Sequence, residues 1–320
     1  MSRTNVSQEE SRHWETYWRA DAGQNAAVSG DAPGDLFDAL WLEFFKSAFA
    51  RHNHARLIDL ACGAGVVLDR AADMLSSVKC HSADFCGVDY AFSAAEAVNR
   101  KAPPRHASRF GATASVSQLP FRDASFDIVV SQFGIEYAGT EAFGEAARVL
   151  APGGAAQFII HYRGGGIDRE CSGNARVLRD VLDAGFFNVG LDAVSGPNYE
   201  ASAVELQRIM TGLAAHLDGE PLAAKQLVAR LLPDMATLVG RRHAYRLEDA
   251  AGWIEAMRRE VVRYAERMTA MTDCALDIGG VRSAAQFFKD VGANVEEPSA
   301  LTPGGKTEPA AWLVKAERPA

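Results

Sequence analysis

The chain has 320 residues, 48% of them hydrophobic and 23% charged, which is ordinary for a globular protein. Lysine and arginine number 33 against 41 acidic residues, a formal net charge of −8 that disfavours a broad nucleic-acid-binding face. The five cysteines form no CxxC pair, and no apolar run approaches the roughly 20 residues that span a bilayer. We therefore expect a cytoplasmic protein with reduced thiols, no secretory signal, and no nucleic-acid or membrane partner.

Two helical patterns precede the first strand pattern. Residues 35–50 place an apolar residue at every fourth position, which is typical of an amphipathic helix. Nearer the N-terminus, four large side chains also lie at helical spacing: His13, Trp14, Tyr17 and Trp18. We expect residues 1–50 to form an N-terminal helical cap.

Short apolar runs alternate with helical patterns between residues 56 and 162. The strand patterns are RLIDLA, DFCGVDY, a weak one before Gly111, FDIVVSQ and AAQFIIHY. The helical patterns between them are VVLDRAADML, SAAEAVNRKA and EAFGEAARVL, the last stopped by Pro152, Gly153 and Gly154. This alternation predicts parallel strands with crossover helices, an α/β core over residues 51–166.

The strand signal then disappears for about a hundred residues. Four helical stretches, near 173–187, 200–217, 220–239 and 247–270, predict a helical insertion over residues 167–275. A helix and two strands joined by a Pro/Gly-rich loop, within residues 276–320, would complete the core. The long apolar helices also permit a homodimer.

A tight turn follows the first strand pattern. LIDL runs into small residues, Ala61 to Gly65, before the next helix, so the backbone can approach a ligand closely. A dinucleotide site would continue as GxGxxG, but the position three after Gly65 is Leu68. The spacing therefore disfavours NAD without excluding it.

Asp89 ends the second strand pattern. A carboxylate at a strand tip can accept hydrogen bonds from both ribose hydroxyls of an adenosine, each contributing about 1.5–3 kcal/mol. The alternative role, an N-cap of the following helix, is better suited to Ser93. We predict that Asp89 binds a ligand.

Four sequence blocks together resemble the class I S-adenosylmethionine-dependent methyltransferases. LIDLACGAG is similar to their glycine motif, GVDY to their second motif, and SQLPFRDASFDIVVSQFGIEY to the stretch through their fourth strand. EAARVLAPGGAAQFII resembles the helix, turn and fifth strand that follow, and residues 284–317 resemble the closing helix and strands. Within the family, the chain is most similar to small-molecule methyltransferases of the ubiquinone/menaquinone-biosynthesis type. The resemblance implies a Rossmann-like sheet, S-adenosyl-L-methionine as cofactor and a small-molecule methyl acceptor.

The resemblance also implies which residues surround the methionine half of the cofactor. Asp59, Gly63 and Gly65 would shape that pocket. Ala61 stands where the strictest form of the motif has glycine, a small change that the turn tolerates.

The adenosine half would be bound by residues after the second, third and fourth strands. Asp89 would bind the ribose, with Tyr90 beside the adenosine. Ser115 and Val116 replace an Asp-Ala pair that many relatives place beside the adenine, so the serine would make a weaker hydrogen bond there. Gln132 would line the cofactor cavity.

A sulfonium methyl group is already electrophilic, so the protein must position the acceptor, exclude water and, for some acceptors, remove a proton. A general base would lie beyond the carboxyl ends of the strands, which gives three candidates: His161, Glu136 and Tyr137. His161 could instead bond to backbone, and Glu136 could be a solvated loop carboxylate or a partner of Arg163. Tyr137 is better suited to a pocket wall, because an ordinary phenol stays protonated near pH 7.

Residues outside the core could contact the substrate. Together with Trp14, the substrate candidates His13, Tyr17 and Trp18 could form a lid over the cofactor, or could belong to a helix that merely packs on the sheet. The insertion follows the fifth strand, so we expect it to cover the pocket and set substrate choice, with the glycines at 164–166 as its hinge. No residue is predicted to bind a metal, because the HxH of His52 and His54 has no third ligand nearby.

Three other functions compete with methyl transfer to a small molecule. The chain could bind S-adenosylmethionine as a non-catalytic regulator, or could be an NAD-dependent oxidoreductase. Methylation of nucleic acid is disfavoured by the acidic balance and the lack of a basic, aromatic-interleaved stretch. The sequence leaves the acceptor atom open among oxygen, nitrogen, carbon and sulfur.

Overall fold

A computed structural model describes residues 14–15, 17–19, 34–75, 77–78, 80–103, 106–218 and 222–320. The chain divides into two compact units, Met1–Ile167 with Cys274–Ala320, and Asp168–Asp273. We call them the sheet unit and the helical unit. No helix in the described ranges combines the length and apolar composition needed to cross a bilayer.

The sheet unit is built on a mostly parallel sheet. The strands are β1 (His54–Leu60), β2 (Ser82–Asp89), β3 (Ala107–Thr113), β4 (Phe126–Gln132), β5 (Leu150–His161), β6 (Asn294–Val295), β7 (Ser299–Leu301) and β8 (Ala311–Glu317). Their order is β3-β2-β1-β4-β5-β8-β6, and β7 pairs with β8. β1 to β5 are parallel, whereas β8 is antiparallel to β5, β6 and β7. This is the predicted Rossmann-like α/β sheet.

Helices connect and cover these strands and form the second unit. They are α1 (Gly34–Phe49), α2 (Val66–Leu75), α3 (Phe92–Arg100), α4 (Ala142–Val149), α5 (Gly166–Asp183), α6 (Phe186–Ser195), α7 (Tyr199–Ala214), α8 (Ala223–Gly240), α9 (Leu247–Asp273) and α10 (Ile278–Asp290). Within the described ranges, 3₁₀ turns occur at Ile135–Ala138 and Arg242–Ala244.

The sheet has an apolar core on each face. Because successive side chains of a strand point to opposite faces, Leu57 and Ile58 of β1 belong to different cores. Leu57 packs in the cluster with α1 and α2, to which α1 contributes the fully buried Trp41 and Phe45. Ile58 packs in the cluster with α4 and α10. The sheet is thus buried on both faces, and its strand ends are left to form a site.

The helical unit has its own core. The cluster includes Phe186 and Phe187 of α6, Met235 of α8 and Ile254 of α9, all nearly inaccessible to solvent. The buried side chain of Asn174 also accepts a hydrogen bond from the Ala224 N–H, which joins α5 to the start of α8.

The structure differs from the predicted elements in three places. The stretch predicted as one helix over 173–187 is two helices, α5 and α6, because Gly185 adopts a left-handed conformation between them (φ 72°). β5 begins at Leu150, before the Pro-Gly-Gly segment, and a register shift against β4 accommodates that segment. The loop between β6 and β8 contains the short strand β7, whose three residues are too few to show alternation.

Candidate functional site

Four strands end side by side at one edge of the sheet. β2, β1, β4 and β5 are adjacent and parallel, and the chain order reverses between β1 and β4. Ligands of open α/β sheets bind at the carboxyl ends of the strands, at such a reversal. Asp59 is the penultimate residue of β1, while Asp89 and His161 are the last residues of β2 and β5. The fold therefore brings these predicted site residues to one edge.

The turn after β1 has a backbone that favours glycine. Ala61, Gly63 and Gly65 all have positive φ (52°, 50° and 77°), and such angles strain any residue with a side chain. The Cys62 N–H donates to the carbonyl of Val88 at 3.0 Å, which ties the turn to β2. Small residues at this turn are needed for the chain to pass from strand to helix.

Two cations from neighbouring elements hold the carbonyls of this turn. Lys101 Nζ donates to the carbonyl of Ala64 at 2.8 Å, and the buried Arg109 guanidinium donates to that of Gly65 at 3.2 Å. Both cations also contact Asp69 of α2, at 2.6 and 2.7 Å. Side chains of two neighbouring elements thus hold two carbonyls of the turn and connect them to α2.

The Asp89 carboxylate lies beside the turn. Its Oδ2 accepts a hydrogen bond from the Gly63 N–H and its Oδ1 one from the Ala91 N–H, both at 2.9 Å. Burial raises its pKa to about 6, although these backbone donors favour the charged form. Ser93 does not cap the helix as predicted: its hydroxyl donates to the carbonyl of Glu15, and α3 begins at Phe92.

Asp59 is a second buried carboxyl group in the same region. It is 1% exposed, and its Oδ2 has no hydrogen-bond partner among the described residues. Burial raises its pKa well above the usual range, and the neighbouring charge of Asp89 raises the pKa further. An unpartnered buried carboxyl group of this kind marks a place for a donor or a cation.

These groups fit S-adenosylmethionine better than a dinucleotide. The cofactor carries a sulfonium, an ammonium and two ribose hydroxyls, which are cations and donors that Asp59 and Asp89 can bind. A pyrophosphate at the turn would instead meet the buried carboxyl group of Asp59. This acceptor thus agrees with the glycine spacing in disfavouring NAD.

A buried acid–histidine pair lies at the end of β5. Oε1 of Glu136, in the 3₁₀ turn after β4, lies 2.7 Å from Nδ1 of His161 and also accepts from the His161 backbone N–H at 3.0 Å. The side chains are 0% and 2% exposed. Glu136 Oε2 and His161 Nε2 have no hydrogen-bond partner in the part of the chain that the structure describes. The alternatives of a solvated Glu136 and a backbone-bonded His161 side chain are therefore wrong.

The comparisons with known proteins agree with this geometry. Residues 58–158 match the family model described as a methyltransferase domain. The chain is 28% identical, over 214 residues, to a malonyl-[acyl-carrier protein] O-methyltransferase of Geobacter sulfurreducens, covering 58% of this chain and 77% of that protein. The family-model match, residues 58–158, spans the turn, Asp89 and the Glu136 segment.

The chain contains a methyltransferase domain with the Rossmann-like sheet of the class I S-adenosylmethionine-dependent enzymes.

Similar solved structures include a complex of the Trm112 methyltransferase activator with a methyltransferase from Haloferax volcanii. The matched chain of that structure is 14% identical to this chain, and the match covers 95% of this chain and 98% of the other, with a TM-score of 0.43. An S-adenosylmethionine-dependent methyltransferase from Mesorhizobium loti is 11% identical, with 86% and 96% covered and a TM-score of 0.41. At these TM-scores, neither likeness adds to the assignment.

The remaining predicted cofactor residues have varied surroundings in the methyltransferase. Tyr90 is 38% exposed, whereas Val116 is buried. The Ser115 hydroxyl lies 2.8 Å from that of Ser117, so it already has a polar neighbour. Gln132 Oε1 accepts from the Trp41 indole N–H at 2.6 Å, which connects β4 to α1. The cofactor contacts of these residues remain predictions.

The described part of the N-terminal segment lies on the same strand ends. Glu15 accepts a hydrogen bond from the Ser93 N–H at 3.0 Å, and the Trp18 ring lies so close to Gly63 that a Cβ there would overlap it. Trp14 packs edge-on against Tyr137, with ring centroids 5.0 Å apart. Tyr17 in turn contacts Trp14 and Trp18. His13 lies outside the described residues.

Proposed function

We propose that this methyltransferase transfers the methyl group of S-adenosylmethionine to an oxygen, nitrogen or carbon atom of a small-molecule metabolite by in-line displacement. The acceptor atom forms a bond to the methyl carbon while the sulfur–carbon bond breaks, and S-adenosylhomocysteine leaves. The observation that carries the proposal is the buried Glu136–His161 pair, at the same sheet edge as the two buried aspartates.

The aspartates and the turn hold the cofactor in this proposal. Asp89 accepts from the ribose hydroxyls, and Asp59 faces the cationic methionine half, with Ala61, Gly63 and Gly65 allowing close approach. Tyr90, Ser115, Val116 and Gln132 line the adenosine side. Fixing the cofactor and acceptor in line is worth up to about 7–11 kcal/mol of barrier, so this positioning can supply most of the rate.

The Glu136–His161 pair takes the acceptor's proton. An ionised carboxylate can only accept hydrogen bonds, so Nδ1 of His161 is the donor in the 2.7 Å contact. Nε2 is then the free base, and Glu136 stabilises the imidazolium that forms. The Tyr137 ring forms part of the wall of the acceptor pocket, with its centroid 5.9 Å from that of the His161 ring.

The net charge of the chain and the name of a relative both support a small methyl acceptor. The net charge of −8 disfavours nucleic acid, and the Geobacter relative is named for O-methylation of an acyl-carrier-protein-bound malonyl group. His13, Tyr17 and Trp18 are proposed as substrate-side residues. A cytoplasmic location and a homodimer remain predictions, as does the division into residues 1–50, 51–166, 167–275 and 276–320.

Labelled methyl transfer tests the proposal. The full chain is incubated with methyl-labelled cofactor in two reactions, one with the low-mass fraction and one with the macromolecular fraction of a cell extract. We expect label in low-mass products together with an equal amount of S-adenosylhomocysteine. Label only in macromolecules would contradict the small-molecule acceptor, and cofactor binding without consumption would favour the non-catalytic regulator.

The helical unit is proposed to set acceptor choice, because it is inserted between β5 and α10. A chain in which a short linker replaces residues 168–273 should bind cofactor normally but not turn over. Normal turnover by the shortened chain would refute this role.

A further inference from the structure

A third chemically active side chain lies beside the Glu136–His161 pair. Cys274 Sγ is 3.9 Å from His161 Nδ1, and its distance in sequence, 113 residues, hides it from any spacing motif. One donor atom from each of the three residues lies within 4.8 Å of the other two. Glu136 and His161 are buried, and Cys274 is half-buried.

The backbone around Cys274 places this thiol firmly. The Leu276 N–H donates to the carbonyl of His161 at 3.0 Å, and the Arg163 N–H donates to the carbonyl of Leu276, also at 3.0 Å. The Trp312 indole N–H donates to that same Leu276 carbonyl at 2.9 Å. The segment after α9 is therefore bonded along the end of β5, which brings Cys274 to the histidine.

The arrangement differs from that of a nucleophilic cysteine. In a nucleophile–base–acid triad the thiol and the acid contact opposite nitrogens of the imidazole. Here Glu136 Oε1 and Cys274 Sγ both lie on the Nδ1 side, at 2.7 and 3.9 Å. Three donors that converge on one point are suited to a shared cation.

The distances and charges fit a transition-metal ion. Zinc bonds of about 2.0–2.3 Å to nitrogen, oxygen and sulfur place tetrahedral donor atoms roughly 3.3–3.7 Å apart. The Nδ1–Sγ distance is close to this range, and the shorter Nδ1–Oε1 distance reflects the proton that an ion would replace. One thiolate, one carboxylate and a neutral imidazole balance two positive charges, so the loaded site would bury no net charge.

We propose that Glu136, His161 and Cys274 form a binding site for a divalent transition-metal ion, with zinc best matched to the ligand set. Three protein ligands leave a fourth tetrahedral position open, as in catalytic zinc sites. An acceptor hydroxyl bound there would lose its proton to solvent, because the ion lowers its pKa. The metal-loaded protein would then need no free base at His161.

Metal titration of matched cysteine variants tests this site. The full chain is stripped with a chelator, dialysed against Zn²⁺ or Co²⁺, and its metal content is measured by mass spectrometry. Cys274→Ser is the test variant. Cys80→Ser is the control, because Cys80 is a buried thiol whose Sγ contacts the carbonyl of Ser82.

We expect about one ion per chain in the wild type and in Cys80→Ser. Changing a residue that only hydrogen-bonds a metal ligand already costs about 10–100-fold in metal affinity, so loss of the thiolate ligand should weaken binding by at least about that factor. The cobalt form should show thiolate-to-cobalt charge-transfer absorption, which Cys274→Ser abolishes. If Cys274→Ser does not fold by circular dichroism, Glu136→Gln is used for the same affinity measurement.

Absence of stoichiometric metal in the wild type would overturn the site, and so would undiminished affinity in a folded ligand variant. Neither result affects the methyl-transfer proposal, because cofactor binding and label transfer are measured separately. Conversely, failure of methyl transfer would leave the metal measurement standing.

Discussion

Replacing Asp89 by asparagine removes a negatively charged acceptor to which two groups of hydrogen-bond donors bind. The carboxylate accepts from the Gly63 and Ala91 N–H groups at 2.9 Å, and we propose that it also accepts from two ribose hydroxyls. Asparagine keeps one acceptor oxygen but turns an NH₂ group toward the other donors. Losing one charge-assisted bond and leaving one donor unpaired costs about 3 kcal/mol, which is roughly 100-fold in cofactor Kd.

The pH dependence of cofactor binding provides an independent check on the same carboxylate. Burial raises the pKa of Asp89 to about 6 in the free protein, and bound hydroxyls and cationic cofactor favour the ionised form, so the pKa falls on binding. The contribution of Asp89 to affinity should therefore be constant above about pH 7 and weaken as the pH falls through 6. Protonation of Asp89 alone should make the Kd at pH 5 about 10-fold higher than at pH 7.

Calorimetry from pH 5 to 8 with S-adenosylmethionine and S-adenosylhomocysteine measures both effects. Asp89→Asn should bind weakly and with a flatter pH profile. Wild-type affinity in this variant, or an unchanged pH profile, would refute the role given to Asp89. Circular dichroism of the variant controls for loss of the fold.

Three further changes separate the parts of the site. Burial raises the pKa of Asp59, and the ammonium group of a bound cofactor would ionise it. Asp59→Asn should therefore reduce the number of protons released when the cofactor binds at pH 7. Calorimetry in two buffers measures that number. Gly65→Ala should lower the free energy of unfolding by about 1–3 kcal/mol, because φ is 77° and an added Cβ would lie 2.8 Å from the Arg109 guanidinium. Gly139→Ala is the control: its φ is similar, but no atom lies within 4 Å of an added Cβ, so the loss should be smaller. Chemical denaturation measures the free energy of unfolding of both variants. His161→Gln should lower kcat by about 10²–10⁴-fold with unchanged cofactor Kd in steady-state and binding assays, and an equal loss of binding would contradict an acceptor-side role.

The sheet could be predicted because its signals are local. Strand β4 has the predicted bounds, Phe126 to Gln132, since a short apolar run between turn residues suffices to define a buried strand. The positions of Asp59, Asp89 and His161 at strand ends followed directly, because parallel strands end at the same edge. Two strands joined by a Pro/Gly-rich connection were also predicted near the C-terminus, and β6 and β8 are those strands, paired antiparallel.

Long-range pairings were beyond prediction. Glu136 lies after the fourth strand pattern, where a charged residue is usually exposed to solvent. Only its apolar neighbours Ile135 and Phe133 could have indicated that it is buried. Its partner His161 is 25 residues away, and Cys274 is 113 residues from that histidine. Side-chain contacts between separate elements depend on the packed fold, which local patterns do not encode.

A crystal structure of the full chain with S-adenosylhomocysteine tests the central claim most directly. We expect the two ribose hydroxyls within about 3 Å of the Asp89 carboxylate and the homocysteine beside Asp59 and the turn at Gly63. A ribose bound elsewhere, with Asp89 still bonded only to Gly63 and Ala91, would contradict it.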